Sequence, residues 1–141
     1  MNILFFLKPK GDIKYIYSHY TLRQAIEKMK KYGYSAIPVI SKEGTYAGTL
    51  REGDLLWAML ANSAFDSKDM EQYYVKDILK GRQFAPVNVN AAIEDLLLMA
   101  MHQNFIPVTD DRGLFIGIVT RRDIMQYYYD KTHQPEMAEV Q

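Results

Sequence analysis

The chain has 141 residues, of which 48% are apolar, with seventeen basic and seventeen acidic side chains. That is room for one ordinary domain or two small subdomains sharing a core, and the zero net charge argues against broad electrostatic capture of nucleic acid or an anionic membrane. The absence of cysteine removes disulfides, thiolate metal sites and cysteine nucleophiles together.

From the N-terminus, Ile3 to Leu7 is an apolar run with no basic segment before it. It is too short for a signal-peptide core or a membrane span, so a cytoplasmic protein is expected. Lys8 and Lys10 flank Pro9. This stretch reads as a solvated tail; the alternative is that it folds over a cleft and brings a cation to a phosphate. A short β-rich run follows at Tyr15–Tyr17, and then an amphipathic helix. Leu22, Ala25, Ile26 and Met29 share one face of that helix, with Thr21 as its cap and Gly33 as its stop. Two strands come next, Ser35–Ile40 and Tyr46–Leu50, joined by Lys42-Glu43-Gly44. Glycine there supplies the positive φ of a tight hairpin. A second helix starts near residue 52, with Leu55, Leu56, Met59 and Leu60 as its apolar residues.

After a connector that is polar at first and then predicts a short helix over Tyr73–Leu79, the same order returns. The run Ala85–Val89 predicts a strand, and Ile93, Leu96, Leu97, Ala100 and Met101 predict one amphipathic helix. Strands follow at Phe105–Thr109 and Leu114–Val119 around Asp111-Arg112-Gly113, and a last helix starts near 121. Laying residues 36–56 over 105–125 with no gap gives six identities, at Ile37/Ile106, Pro38/Pro107, Val39/Val108, Gly44/Gly113, Gly48/Gly117 and Asp54/Asp123. Chance at average residue usage gives about one. The chain is therefore a β-α-β-β-α unit written twice. One copy alone is too small to bury its helices well, so the two are expected to pack sheet to sheet.

Both copies together resemble the CBS domain family, named for cystathionine β-synthase. The likeness rests on Ile37-Pro38-Val39 with Gly48-Thr49-Leu50-Arg51-Glu52-Gly53-Asp54, and again on Ile106-Pro107-Val108 with Gly117-Ile118-Val119-Thr120-Arg121-Arg122-Asp123. It covers roughly Tyr15 to Asp130. The resemblance implies an α/β (α+β) fold in which two repeats form an intramolecular pseudo-dimer, often called a Bateman module. In chain order, 1–62 hold the N-terminal segment and first repeat, 63–83 the connector, 84–130 the second repeat and 131–141 a flexible tail. It also implies an adenosine-type ligand such as AMP, ATP, S-adenosylmethionine or cyclic di-AMP in a cleft between the sheets. A homodimer through the second helices and an unknown downstream protein partner are implied too. With nothing left over to regulate in cis, a stand-alone sensor is expected, with no prosthetic group.

The residues for that ligand cluster at Thr120-Arg121-Arg122-Asp123, a strand-to-helix junction. A helix start offers unpaired N–H groups to a phosphate, and Arg121 and Arg122 add guanidinium charge. Asp123 can accept both hydroxyls of a ribose with Thr120 in support, while Phe105, Ile106 and Pro107 wall the base. Thr-x-x-Asp is also close to a self-capping box that binds nothing. In copy one, Arg51 stands where Thr120 does, and Glu52 and Gly53 replace the arginines. Arg51 either reaches a phosphate or fills the cleft by pairing with Asp54, beside Ile37 and Pro38. The copy-two cleft is therefore expected to bind and the copy-one cleft to be weak or empty. His19, His102 and His133 show no metal-ligand spacing, and no nucleophile motif is present, so no catalysis is expected. Trp57, Tyr127, Tyr128 and Tyr129 on the second helices are the expected aromatic contact between subunits.

Overall fold

The structure, a computed structural model, describes residues 1–62, 70–79 and 84–133. A 3₁₀ turn at Ile3–Phe5 leads into β1 (Lys8–Pro9) and, past a second such turn at Lys10–Asp12, into β2 (Ile16–Tyr17). The first repeat continues with α1 (Leu22–Tyr32), β3 (Ala36–Ile40), β4 (Tyr46–Arg51) and α2 (Glu52–Asn62). The connector contributes α3 (Val75–Ile78), within the expected Tyr73–Leu79. Its polar start, with Ser63, Asp66 and Ser67, lies outside the described residues. The second repeat has β5 (Val87–Asn88), α4 (Ile93–Leu96), β6 (Phe105–Thr109), β7 (Phe115–Thr120) and α5 (Arg121–His133). That last helix runs three residues past the expected boundary at 130; the rest of the expected tail lies outside the described residues.

Local sequence sets these elements as expected in the first repeat. Thr21 Oγ1 accepts from the Gln24 N–H at 3.2 Å and Gln24 Oε1 accepts from the Thr21 N–H at 2.9 Å, so α1 opens on a complete capping box. It ends at Gly33. The second repeat departs from the pattern. Instead of one amphipathic helix from Ile93 to Met101, α4 stops after one turn and a 3₁₀ turn spans Met99–Met101. Tightening to three residues per turn shifts the helical phase. Ile93, Leu96 and Ala100 stay buried, while Leu97 and Met101 turn to solvent.

Strands β2-β3-β4 form one sheet and β1-β7-β6-β5 the other. Each repeat buries one face of its sheet under its own helices. Ile37, Val39 and Leu50 meet Leu22, Ala25, Met29 and Leu55; Ile106, Val108 and Val119 meet Ile93, Leu96, Ala100 and Ile124. Each such aliphatic side chain contributes about 1.5–3 kcal/mol of burial. The opposite faces meet each other at Ile40, Tyr46 and Phe115. There the hairpin tips interlock, the Tyr46 N–H donating to the Gly113 carbonyl at 3.2 Å and the Phe115 N–H to the Gly44 carbonyl at 2.9 Å. Both glycines hold a positive φ, 91° and 81°, that turns the carbonyls outward to be met.

The repeats also exchange their leading segments. Val75 and Ile78 from α3 enter the core of the first repeat, and Ile3 enters the core of the second. Tyr73 O accepts from Leu22 N at 2.9 Å, and Met1 O accepts from Ile93 N at 3.0 Å, in the same relation. The division at 1–62 thus follows chain order, while residues 1–9 pack with the second repeat. Lys8 and Pro9 do not form a solvated tail, because β1 pairs antiparallel with β7 opposite Ile118 and Gly117.

Two expectations follow from this packing. A Cβ on Gly117 would run into the Lys8 carbonyl and the Leu7 side chain, so Gly117→Ala unseats β1. The expected cost is about 1–3 kcal/mol in chemical denaturation, with faster tryptic cleavage after Lys10. The second concerns the β6–β7 hairpin, where Asp110 Oδ1 accepts from the N–H groups of Arg112 and Leu114, both at 2.9 Å. Desolvation pushes its carboxyl up, but the Leu114 and Arg112 N–H groups and the Arg112 guanidinium outweigh it, and the pKa lies below the ordinary carboxylate value. A carboxylate with a depressed folded-state pKa stabilises above its unfolded pKa and loses that contribution as pH falls through the folded value. Thermal melts of wild type and Asp110→Asn should therefore differ at neutral pH and converge in acid.

Candidate functional site

Between the two sheets lies a cleft of about 410 Å³, within the usual range of small-molecule sites. The register of β6 and β7 decides which residues face it. Phe105 lies opposite Thr120, and Pro107 opposite Ile118. Phe105, Ile118 and Thr120 line the cleft. The first repeat supplies Gly33, Tyr34, Ser35, Ala36 and Pro38, and Asn104 stands at the mouth. The N-terminal segment closes one side with Lys8, Asp12, Ile13 and Lys14.

Two expected wall residues are corrected. Ile106 and Ile37 are fully buried among the helices of their own repeats. Successive side chains of a strand point to opposite faces, so Ile106 faces away wherever Phe105 and Pro107 face the cleft. Pro107 is buried on the cleft face of β6 but is not part of the cavity lining.

At the polar end, the capping box of copy two is only half made. Thr120 Oγ1 accepts from the Asp123 N–H at 3.2 Å. Among the described residues the Asp123 carboxylate accepts no hydrogen bond, and its Oδ2 lies 3.9 Å from the Lys8 ammonium. Arg121 turns away from the cleft. Its Nε donates to the carbonyls of Ala100 at 2.7 Å and Gln103 at 3.2 Å, tying α5 to the end of the Met99–Met101 turn. Its backbone N–H is also taken, by Asn104 O at 2.9 Å. Arg122 is exposed and lines a second, shallower groove of about 510 Å³ with Met125, Gln126 and Tyr129, which meets the cleft at Asn104 and Thr120. Among the described residues the cations lining the cleft are thus Lys8 and Lys14, and the Lys14 ammonium sits 5.1 Å over the Tyr32 ring. Of these, the residue pattern pointed only to Lys8; Lys14, Asp12 and Asn104 carry no local signal and are brought in by the fold.

Copy one is built differently at the equivalent place. The Arg51 N–H donates to Asp54 Oδ2 at 3.0 Å and its guanidinium lies 3.4 Å from Oδ1, so the Asp54 carboxylate caps α2 and is buried. Arg51 Nε is left buried without a hydrogen bond among the described residues, which costs about 1–3 kcal/mol. By the register of β2 and β5, Phe84 stands where Ile13 stands in copy two, and Phe105 matches Ala36. Two rings therefore meet here, edge to face with centroids 4.9 Å apart. The Tyr46 hydroxyl donates to the Phe84 carbonyl at 2.7 Å and is itself met by Thr49 Oγ1 at 2.7 Å. Gln103 holds the adjoining Ala85 through both its N–H and its carbonyl, at 3.0 and 3.2 Å.

The second helices divide their aromatic residues between two tasks. Tyr127 packs edge-on against Phe6 at 5.3 Å and so holds the N-terminal segment, while Tyr128 lies partly buried against the second core. Trp57 and Tyr129 remain exposed, with Leu56, Leu60 and Met125 beside them. Among the described residues no group of three His, Asp or Glu side chains could hold a metal ion, and no helix is long and apolar enough to cross a membrane.

Comparison with known proteins agrees with this arrangement. The CBS domain matches twice, at residues 8–61 and 75–130. An uncharacterized protein of Methanopyrus kandleri is 25% identical over 119 residues, covering 81% of this chain; the chain spans 58% of that relative's length. The crystal structure of CbpB in complex with c-di-AMP superposes with a TM-score of 0.85 at 22% identity, covering 100% of this chain and 91% of that one. That of CBSX2 in complex with AMP superposes with a TM-score of 0.72 at 21% identity, covering 93% and 98%. With two family matches in register with two interlocked β-α-β-β-α units, the chain belongs to the CBS domain family.

Proposed function

We propose that the chain is a regulatory module that binds an adenine nucleotide in the copy-two cleft and passes its occupancy to a partner protein. The observation that carries this reading is the contrast between the two aspartates. Asp54 is used up in capping its helix, while Asp123, which is not itself part of the cavity lining, stands beside the lining residues Thr120 and Lys8 with its carboxylate free of hydrogen bonds among the described residues. A self-capping box needs the reciprocal bond that copy one makes and copy two lacks. In this reading Asp123 accepts the ribose hydroxyls with Thr120 beside it, and the base lies against Phe105, Ala36 and Pro38. The c-di-AMP and AMP held by CbpB and CBSX2 support an adenine ligand. Such ligands are metabolites of the cell interior, and a cytoplasmic location belongs to the same reading. A signal requires that the ligand favour one arrangement of the two halves over another.

Titration calorimetry with AMP and with c-di-AMP tests this directly. One binding event per cleft-bearing half is expected, and none at copy one. Asp123→Asn should weaken binding by about 1–3 kcal/mol, the range for a hydrogen bond to a charged group, while Asp54→Asn should act on stability instead. Two equal sites per chain would overturn the single-cleft assignment, and no binding of either nucleotide would favour a ligand-free interaction scaffold.

The exposed apolar stripes on α2 and α5 support a homodimer as part of the same proposal. Leu56, Trp57 and Leu60, with Met125 and Tyr129, are half or more exposed, and clustered exposed apolar surface marks an interaction face. Sedimentation should give a dimer for the wild type and a monomer for Trp57→Glu at the same concentration. A wild type that sediments as a monomer would remove this part of the reading.

A further inference from the structure

Among the described residues the Lys8–Asp123 pair has no counterpart in copy one, where Asp54 is paired within its own repeat by Arg51. It joins the N-terminal strand to the last helix across the end of the cleft, at 3.9 Å, with both side chains partly open to solvent at 50% and 35%. An ion pair that open is held weakly. A ligand that takes over the carboxylate therefore meets little resistance, but it leaves the ammonium without a partner unless it brings an anion of its own.

We infer that Lys8 is the phosphate-selecting residue of this cleft: a nucleotide gives its ribose hydroxyls to Asp123 and its phosphate to the Lys8 ammonium, replacing the ion pair on both sides. This rests on the adenine-nucleotide reading and adds to it the group that tells a nucleotide from a nucleoside. The other cations fit the part less well. Lys14 is engaged over the Tyr32 ring, and the Nε of Arg121 is bonded to two carbonyls. Arg122 belongs to the neighbouring groove. Lys8 is also held in place from behind: β1 is paired to β7, and Gly117 lets the Lys8 carbonyl come close enough for that pairing. Its backbone is thereby fixed at the edge of the sheet that carries Thr120, so the ammonium works from a rigid strand rather than from a loose tail.

Adenosine and AMP differ only in the phosphate, and calorimetry with this pair isolates its recognition. The wild type should prefer AMP. In Lys8→Met that preference should fall roughly tenfold, the scale of one charged hydrogen bond, while adenosine affinity stays level or rises because Asp123 no longer has a competing partner. Lys8→Arg should keep the preference. Lys10→Met removes the same charge from a side chain that sits over the Tyr15 ring outside the cleft, and should leave both affinities as they are. Melting curves establish that each variant is folded. The inference is overturned if Lys8→Met binds both ligands as the wild type does, or loses both equally, or if Arg122→Met abolishes the preference instead. In those cases the nucleotide reading still stands, because the wild type binds. If the wild type takes up neither AMP nor adenosine, the reading falls and the inference with it.

Discussion

The cleft exists because two hairpin tips are hooked together. Tyr46 and Phe115 each donate a backbone N–H to a glycine carbonyl of the opposite repeat, and their rings stack at 6.2 Å and 23° in the same place. Two hydrogen bonds related by a pseudo-twofold axis allow one relative position of the sheets, whereas apolar contact alone would allow sliding. They fix the sheets at the hairpin end. At the far end, where β4 and β7 hand over to their helices, the sheets are free to leave a space. Whether that space is a site depends on what the chain puts into it.

In one half it puts in rings. Exchanging Ala36 and Ile13 for their counterparts Phe105 and Phe84 changes the fill from small to large, and the Tyr46 hydroxyl then gives the Phe84 carbonyl a donor so that the buried backbone is satisfied. Exchanging Thr120 for Arg51 does the rest. A hydroxyl can accept from the helix start and leave the aspartate alone, while an arginine draws the aspartate into a local pair. The two halves of a near-symmetric scaffold thus differ in what occupies the space through a few side chains on the facing surfaces of the sheets, with the helix-covered faces hardly altered. Burial explains the pattern. The core faces must keep their volume to stay packed, and the cleft faces carry no such constraint.

Much of this was legible in the residues. The constant offset between 36–56 and 105–125 revealed the repeat, Thr21 and Gly33 bounded the first helix, and Arg51 in the place of Thr120 marked copy one as the half that is built differently. The orientation of Ile37 and Ile106 was legible too, by strand alternation from Phe105, but a motif reading keeps neighbours together and so placed them on the wrong face. Other features had no local signal. The short α4 differs from α1 only through how its turns pack, and Arg121 turns to carbonyls that lie about twenty residues away in the chain. The exchange of leading segments is a tertiary matter, since an apolar run such as Ile3–Leu7 is equally at home in either core.

That exchange makes the N-terminal segment part of both halves at once. Ile3 is anchored in the second core, β1 is paired to β7, and a few residues later the chain crosses the cleft wall at Ile13 and Lys14 to become β2 of the first sheet. A ligand in the cleft therefore touches a strap that is tied to one repeat at its start and to the other at its end. Along the N-terminal segment, any change in the spacing of the sheets is taken up between Pro9 and Ile16, because both flanking segments are held by strand pairing. In the function proposed above, occupancy and the relative position of the repeats would be coupled through that stretch. The neighbouring Phe6–Tyr127 contact carries the same segment onto α5, the helix that bears Asp123 at its start and the exposed Met125 and Tyr129 along its length. A shift of the strap would thus arrive on the surface where another subunit or partner would rest, alongside the direct passage from the cleft-lining Thr120 into the first turn of α5.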